Sequence, residues 1–239
     1  MHWRQLKGLA KAIAASYVLR MTAFLPRLDI LPQSQHVVWD ELTEIPVDFT
    51  LYGGTAIALH LGHRQSVDFD FFGWRTFAPL DLASELALLK AGTVLLSEPN
   101  TLTMSVDRGG PVKLSFFGVP RLKRVALPHI SADNGLQIAS LLDLAGRKVA
   151  VVQQRAEAKD YIDMDAILLD GKIDLPLAMA AAEVIYGPVF SAQNALKALT
   201  YFEEPQLHGL SDDLKHRLVQ AVRAVDLGCL PKLEMAPDA

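Results

Sequence analysis

The sequence predicts an α/β domain with a mixed sheet, followed by a bundle of helices. In the first half, short runs with the two-residue period of a strand alternate with runs that have the period of a helix. From about residue 137 every patterned segment has the helical period, and no strand candidate is found there. A chain of 239 residues is long enough for one large domain or two small ones. We divide it into an N-terminal extension (1–20), an α/β domain (21–136) and a helical domain (137–239).

Composition and charge limit where the protein acts and what it binds. The net charge of -4 argues against a broad electrostatic grip on nucleic acid, although a local basic patch can still hold one end of an RNA. Although 51% of the residues are hydrophobic, no apolar run approaches the roughly 18 residues that a membrane span needs. Cys229 is the single cysteine, which excludes an internal disulfide and agrees with a reducing compartment. We expect a cytoplasmic protein that does not span a membrane.

The first 20 residues carry early positive charge and a short apolar centre. Arg20 closes the apolar run without the cleavage site that is typical of an export signal. We interpret this extension as an amphipathic helix or a disordered lead-in. The segment "MTAFLPRLDILP", which starts at Met21, resembles a natural start, so we expect residues 1–20 to be dispensable.

The α/β domain begins with a helix, a strand, a glycine turn and a buried helix. A helix over residues 34–45 ends before Pro46. The strand "DFTLY" (48–52) runs into Gly53 and Gly54. Residues 55–61 are almost wholly apolar and helical, which implies burial, and Gly62 stands where a left-handed C-cap would lie.

The next segment, "SVDFDFF", alternates strictly between apolar and acidic side chains. Val67, Phe69 and Phe71 would face the core, and Asp68 and Asp70 would lie on the opposite face. A helix over 79–91 and a hairpin of strands 101–107 and 111–117 around "DRGG" complete the predicted domain. Five helical segments follow, over 137–155, 157–171, 174–187, 191–202 and 211–225.

Asp68 and Asp70 are candidate metal ligands. Carboxylates at positions i and i+2 of a strand project from the same face, and their charges repel each other unless a cation lies between them. Mg²⁺ takes oxygen ligands and is commonly held by one or two carboxylates together with substrate phosphates. The alternative is that the two residues form an ordinary solvated strand face.

The glycine pair favours the metal-site interpretation. A Gly-Gly turn between a strand and a helix lets the backbone approach a phosphate and point free N–H groups at it. Thr55, at the start of the helix, can cap it and donate its hydroxyl. With an acidic pair on the following strand, these residues predict a phosphate cradle beside a metal site.

Two neighbouring features leave alternatives open. His60 and His63 have the spacing of transition-metal ligands, so with Asp68 or Asp70 they could form a zinc site of a metal hydrolase. Arg64 could clamp a triphosphate with its planar fork, or it could pair with an aspartate.

The helical domain carries a second polar cluster, formed by Lys148, Arg155, Lys159, Asp160 and Asp163. The three cations fall on one helical stripe if the helix is continuous, and the two acids lie about a turn apart. The cluster is either an ordinary salt-bridged helix surface or the second half of a phosphate site, for which the first domain supplies the remainder.

The two motifs together resemble a known family, the AbiEii-type nucleotidyltransferases of type IV toxin–antitoxin and abortive-infection systems. The resemblance is carried by "GGTAIALHLGHRQSVDFDFF" and "RKVAVVQQRAEAKDYIDMDAILL" and covers roughly residues 22–230. It implies a polymerase-β-like nucleotidyltransferase fold that uses Mg²⁺ (or Mn²⁺) to transfer a nucleoside monophosphate from an NTP to an acceptor hydroxyl. The implied acceptors are RNA, in particular tRNA ends, or protein, and the implied partner is an antitoxin.

The resemblance also implies roles for particular residues. Asp68 and Asp70 would hold the metal ion. The implied catalytic residues are Asp68, Asp70, Lys148 and Asp160. The implied nucleotide-binding residues are Gly53, Gly54, Thr55, Arg64, Ser66, Arg155 and Lys159.

One position departs from the pattern of this fold, which usually places a third carboxylate on a neighbouring strand. The candidate strand "PVKLSFF" offers Lys113, Ser115 and Phe117 on the relevant face, and none of them is an acid. Either Asp160 or Asp163 supplies the missing negative charge, or the activity is weak, or the protein binds a nucleotide without transferring it. The last case would make it a non-catalytic binding module.

Overall fold

A mixed sheet of eight strands forms the centre of the described structure. The computed structural model describes residues 23–237, so the predicted extension (1–20) lies outside the described residues. The strand order across the sheet is β1-β7-β8-β2-β3-β6-β5-β4. The strands are β1 (Ala23–Phe24), β2 (Phe49–Tyr52), β3 (Asp68–Gly73), β4 (Thr93–Glu98), β5 (Thr101–Asp107), β6 (Pro111–Gly118), β7 (His129–Ser131) and β8 (Gln137–Ile138).

Three α-helices accompany these strands, and five follow them in the described part of the chain. The first three are α1 (Gln33–Glu41), α2 (Gly53–Leu61) and α3 (Pro79–Glu85). The other five are α4 (Leu141–Val151), α5 (Ala158–Leu169), α6 (Leu175–Tyr186), α7 (Ala192–Thr200) and α8 (Asp212–Arg223). The predicted fold class, an α/β domain followed by helices, is confirmed. No helix in the described part is both long and apolar enough to cross a membrane.

The centre of the sheet fixes the face that carries the acidic pair. β3 is antiparallel to β2 and parallel to β6, so it is paired on both sides. Phe69, Phe71 and Phe116 are fully buried, and the rings of Phe71 and Phe116 stack with centroids 5.1 Å apart. Asp68 and Asp70 therefore lie on the opposite face, as the alternation predicts. The prediction is wrong for Val67, which precedes the strand and is 60% exposed.

Other predicted elements are confirmed with changed bounds. The hairpin of β5 and β6 is present, and Gly62 ends α2 in the left-handed conformation with φ at 66°. The predicted helix over 79–91 ends at Glu85, because Leu86 takes an extended backbone conformation. β8 pairs with β2 and β7, so the sheet continues two residues past the predicted boundary at 136, and the prediction of no strand after residue 137 is wrong.

Candidate active site

The turn between β2 and α2 places the start of a helix against an acidic side chain. Gly53 has a φ of 75°, and a Cβ atom on it would lie 2.6 Å from Oδ2 of Asp70. Glycine is therefore required both by the backbone conformation and by the close approach. No side chain caps α2, so the N–H groups of its first turn keep their capacity to bind an anion.

Asp68 and Asp70 form a pair of like charges beside this turn. Burial raises the pKa of Asp70, and the negative charge of Asp68 raises it further. Lys113 on β6 lies opposite Asp68 in the register, and its Nζ is 3.0 Å from Oδ2 of Asp68. A cation thus already compensates part of the negative charge of the pair.

Ser115 occupies the position where a third carboxylate was expected. It lies opposite Asp70 in the register, and it is 4% exposed. Among residues 23–237 there is no group of three His, Cys, Asp or Glu side chains that could hold a metal ion. Two carboxylates still suit Mg²⁺, because this ion takes its remaining ligands from water and substrate phosphates. The donor set therefore fits a metal ion that binds together with a triphosphate.

Six charged or titratable side chains, which we call the buried ion cluster, join α4 and α5 to the loop after α2. They are His63, Arg64, Lys148, Arg155, Asp160 and Asp163. Nζ of Lys148 lies 2.5 Å from Oδ1 of Asp160 and 2.8 Å from Oδ2 of Asp163. Arg155 reaches Asp160 at 2.9 Å. Both aspartates are 0% exposed, so every charge they carry must be compensated inside the protein.

Arg64 is held by Asp163 through two hydrogen bonds. Its Nε and Nη2 donate to the two carboxylate oxygens at 2.6 and 2.9 Å, and His63 contacts the same carboxylate at 2.7 Å. Burial alone would raise the pKa of Asp163, but the hydrogen bonds from His63 and Arg64 and the charge of Lys148 outweigh it and hold this pKa well below its usual range. Of the two alternatives for Arg64, the structure shows the pairing with an aspartate.

The contacts of the cluster bear on the alternative that Asp160 or Asp163 supplies a third negative charge. The oxygens of Asp160 are bonded to Lys148 and Arg155, and those of Asp163 to Arg64, Lys148 and His63. In this arrangement neither acid offers a free carboxylate to a metal ion beside Asp68 and Asp70. Both acids instead fix the positions of cations.

Thr55 and Ser66 lie in the interior beneath the glycine turn. The hydroxyl of Thr55 donates to the backbone carbonyl of Asp68 and lies 2.9 Å from the hydroxyl of Ser66. The two residues are 1% and 8% exposed. The expectation that the Thr55 side chain caps the helix is wrong, because this hydroxyl ties α2 to β3 instead.

The three predicted cations do not share one helical stripe, because α4 ends at Val151 and α5 begins at Ala158. Tertiary packing still gathers them near the acidic pair. The charge of Lys159 opposes the rise in the pKa of Asp70, and the charge of Asp70 contributes to the raised pKa of Arg155, so both cations lie near Asp70. Lys159 also pairs with Glu157 at 2.9 Å and remains 51% exposed.

The two histidines have different partners, so the zinc alternative finds no support in the described residues. Nε2 of His60 lies 2.9 Å from the carbonyl oxygen of Ala139, and its ring packs on Phe24. Burial lowers the pKa of His60 to about 4, so this side chain is neutral at pH 7. His63 belongs to the buried ion cluster.

A cavity of about 330 Å³ opens between the sheet and α4 and reaches Asp70. Sequence reasoning missed most of its lining. The predicted lining residues are Gly53, Asp70, Lys148 and Arg155, and the missed ones are Tyr52, Ile57, Phe72, Phe117, Leu144, Arg147, Val151 and Tyr186. The alternation that places Asp68 and Asp70 on one face of β3 also places Phe72 there, which was the available signal.

The arrangement suits the binding of a metal ion together with a phosphate group. It combines a glycine turn at a helix start, an acidic pair on the adjacent strand and cations supplied by the helical half. The profile of the family described as "Nucleotidyl transferase AbiEii toxin, Type IV TA system" matches residues 43–204, more than half of the chain. The chain therefore belongs to the AbiEii nucleotidyltransferase toxin family.

Two known proteins are similar to this chain. An uncharacterized protein of Aquifex aeolicus (strain VF5) is 31% identical over 160 residues, which cover 66% of this chain and 75% of that protein. The structure of MenT4, a nucleotidyltransferase toxin from Mycobacterium tuberculosis, matches with a TM-score of 0.53 and 14% sequence identity. That match covers 80% of this chain and 84% of MenT4, and it supports the fold.

Proposed function

We propose that the protein transfers a nucleoside monophosphate from an NTP to an acceptor hydroxyl in a reaction that depends on Mg²⁺ or Mn²⁺. The observation that carries this proposal is the contact of Asp70 with the Gly53 turn at one end of a cavity that Lys148 and Arg155 also line. Phosphate-binding backbone, carboxylates for a metal ion and cations for a leaving group thus meet in one place.

The triphosphate would lie between the first turn of α2 and the cations of the helical half. The N–H groups of Gly53 and Gly54 suit a phosphate because the helix start is uncapped. Lys148, Arg155 and Lys159 would stabilise the negative charge that develops on the departing pyrophosphate. The acceptor oxygen forms a bond to the α-phosphorus while the bond from the α-phosphorus to the bridging oxygen breaks. Pyrophosphate leaves with the electron pair of the broken bond, and the hydroxyl proton passes to solvent.

Asp68 and Asp70 would hold the divalent metal ion. When bound, such an ion neutralises the triphosphate and lowers the pKa of the attacking hydroxyl. Asp160 and Asp163 act as positioning residues in this proposal, since they hold Lys148 in a fixed place and fill no coordination site. Arg64 and Thr55 support the glycine turn from beneath.

An RNA acceptor is favoured by a basic segment beside the cavity. Residues 121–124 (Arg-Leu-Lys-Arg) and the 39% exposed Trp74 line a groove of about 450 Å³. Nη2 of Arg147, which lines the cavity, donates to the carbonyl oxygen of Lys123 at 3.3 Å, so groove and cavity adjoin. Cations next to an exposed aromatic ring suit a single strand, whose phosphates and bases they bind. The tRNA end implied by the family is our proposed acceptor.

Membership in a type IV toxin family also supports a role as a toxin that an antitoxin restrains in the cytoplasm. A toxin of this kind would modify a component on which growth depends. Induced expression of the chain without its antitoxin should then slow growth, and the Asp68→Asn and Asp70→Asn variants should not.

The direct test incubates the protein with each α-labelled NTP, Mg²⁺ or Mn²⁺, and total RNA or total protein. Asp68→Asn and Asp70→Asn should each reduce label transfer by at least about 100-fold, because charge stabilisation at a reacting centre is commonly worth that much. Asp40→Asn, at an exposed position of α1, is the matched control. NTP binding without labelling of any acceptor would instead establish the binding module, which the serine at position 115 favours.

A further inference from the structure

The cavity beside the acidic pair has two chemically different ends. Gly53, Asp70, Lys148 and Arg155 form a polar end next to the glycine turn. The remaining lining is aromatic and aliphatic, with one guanidinium among the rings. The aromatic members are Tyr52, Phe72, Phe117 and Tyr186. The proposed site for phosphates uses the polar end and leaves the aromatic end without a role.

Arg147 lies over the aromatic end. Its Cζ is 4.6 Å from the ring centroid of Tyr52, 5.5 Å from that of Phe72 and 5.9 Å from that of Tyr186. Its Nη2 donates to the carbonyl oxygen of Lys123, whereas its Nε is buried and has no hydrogen-bond partner. An unsatisfied buried donor is costly, so this nitrogen has the capacity to bind an acceptor atom from a ligand.

We propose that the aromatic end binds the nucleobase of the donor nucleotide and that Arg147 selects a base edge that bears a carbonyl oxygen. This inference rests on the proposed function, because it names the part of the same substrate that lies beyond the phosphates. Flat rings among aromatic side chains stack favourably, and a cavity of about 330 Å³ is within the range of small-molecule pockets.

The hydrogen-bonding chemistry of arginine determines the expected preference. A guanidinium only donates, and it pairs best with two acceptors on one edge, as on guanine. Guanine, cytosine and uracil carry a carbonyl oxygen. Adenine carries no carbonyl oxygen, so its ring nitrogens each accept a single donor, next to an amino group that cannot accept a second one. ATP should therefore be the weakest of the four nucleotides.

The geometry is consistent with one bound nucleotide. Asp70 and Gly53 line the same cavity as Phe72 and Tyr186. A base at the aromatic end would leave the sugar and phosphates to extend toward the glycine turn and the acidic pair. The adjacent basic segment would then bring an acceptor strand to the reacting phosphate.

The test measures binding of the four NTPs and of inorganic tripolyphosphate, with Mg²⁺ present, by isothermal titration calorimetry. Arg147→Met should weaken binding of GTP, CTP and UTP about 10-fold, and that of ATP much less. Tyr186→Leu should weaken all four NTPs about 10-fold through loss of stacking. Neither variant should change tripolyphosphate binding. Arg223→Met, at an exposed position of α8, removes the same charge elsewhere and should match wild type.

Arg147→Lys keeps the charge and removes the planar fork, so it should retain tripolyphosphate binding and lose the preference among bases. Arg147→Lys also replaces Arg147→Met as the test variant if Arg147→Met does not fold, which the absence of a cooperative thermal unfolding transition would show. Tripolyphosphate binding that falls as far as GTP binding would make Arg147 a phosphate ligand and overturn the inference. Unchanged preference in both variants would also overturn it. Base-dependent NTP binding that is lost in the variants supports the inference, whether or not an acceptor is labelled. Failure to label any acceptor would refute only the proposed transfer reaction.

Discussion

Asp163 compensates several cations although its side chain has no contact with water. Its carboxylate oxygens contact His63 and Arg64 in the loop after α2 and Lys148 on α4. Removal of one member of a buried ion pair typically costs about 3–5 kcal/mol, because the partner charges stay buried without compensation. Asp163→Asn should therefore reduce the free energy of unfolding at pH 7 by about this amount, as urea denaturation would measure.

The same contacts determine how this loss depends on pH. The pKa of Asp163 is depressed in the folded state, so its contribution is fully present above the pKa of the unfolded chain, about 3.9, and is lost as pH falls toward the folded pKa. The difference between wild type and Asp163→Asn should hence narrow below about pH 4. Asp40→Asn, at an exposed position, should stay within about 0.5 kcal/mol of wild type. A constant difference from pH 7 to pH 3 would contradict this account.

The residues that sequence could assign are those whose role follows from local spacing. Asp68 and Asp70 follow from alternation along one strand, and Gly53 follows from its place between a strand and a helix. The partner of Arg64 lies 99 positions away, so local pattern left two alternatives that only tertiary packing separates. Arg147 gives no signal at all, because an arginine on a helix has many uses.

At the scale of elements, α4 and α6 approach closely at a glycine. A Cβ atom on Gly146 would lie 2.9 Å from Cβ of Ala181 and 3.0 Å from the backbone nitrogen of Ala182. Gly146→Ala should destabilise the fold by about 1–3 kcal/mol through overpacking. Because Arg147 and Lys148 follow directly on α4, displacement of this helix should also lower nucleotide binding.

Thermal unfolding and calorimetry with NTP check both effects. Gly209→Ala is the matched control, since no atom lies within 4 Å of the Cβ it would add and its backbone conformation is ordinary. If Gly146→Ala unfolds and binds nucleotide as wild type does, α4 and α6 separate more easily than their packing indicates.

The predicted elements differ from the missed ones in length and in burial. The five C-terminal helices each have a continuous apolar pattern, and all five are confirmed. β1, β7 and β8 contain only two or three residues, too few to display a two-residue period. β4 lies at the sheet edge with all six residues exposed, so it has no buried face that alternation could reveal.

At the scale of the whole molecule, the candidate site requires both halves of the chain. The sheet and α2 supply the acidic pair and the glycine turn, whereas α4 and α5 supply the cations. The buried ion cluster is the junction between them. The predicted division at residue 136 therefore separates segments that differ in pattern but both contribute residues to the candidate site.

The net charge of the whole molecule allows the proposed binding of an RNA acceptor to be tested with single substitutions. A protein with a net charge of -4 repels RNA at long range, so binding must depend on the few cations of residues 121–124. Arg121→Ala and Lys123→Ala should each weaken RNA binding and reduce the slope of its salt dependence by about 1, because each removes one phosphate contact. NTP binding should not change, since neither side chain lines the cavity that Asp70 and Arg147 line.

The matched control is Lys90→Ala, which removes one exposed positive charge from another surface. Lys90→Ala changes the net charge by the same amount as the two test variants, so the general repulsion between protein and RNA increases equally in all three. RNA binding that falls in all three variants would indicate non-specific attraction, and binding that falls in none would place the acceptor elsewhere. Weaker binding only in Arg121→Ala and Lys123→Ala, measured by titration of labelled tRNA from 50 to 200 mM salt, is the result expected if the groove beside Trp74 carries the acceptor strand.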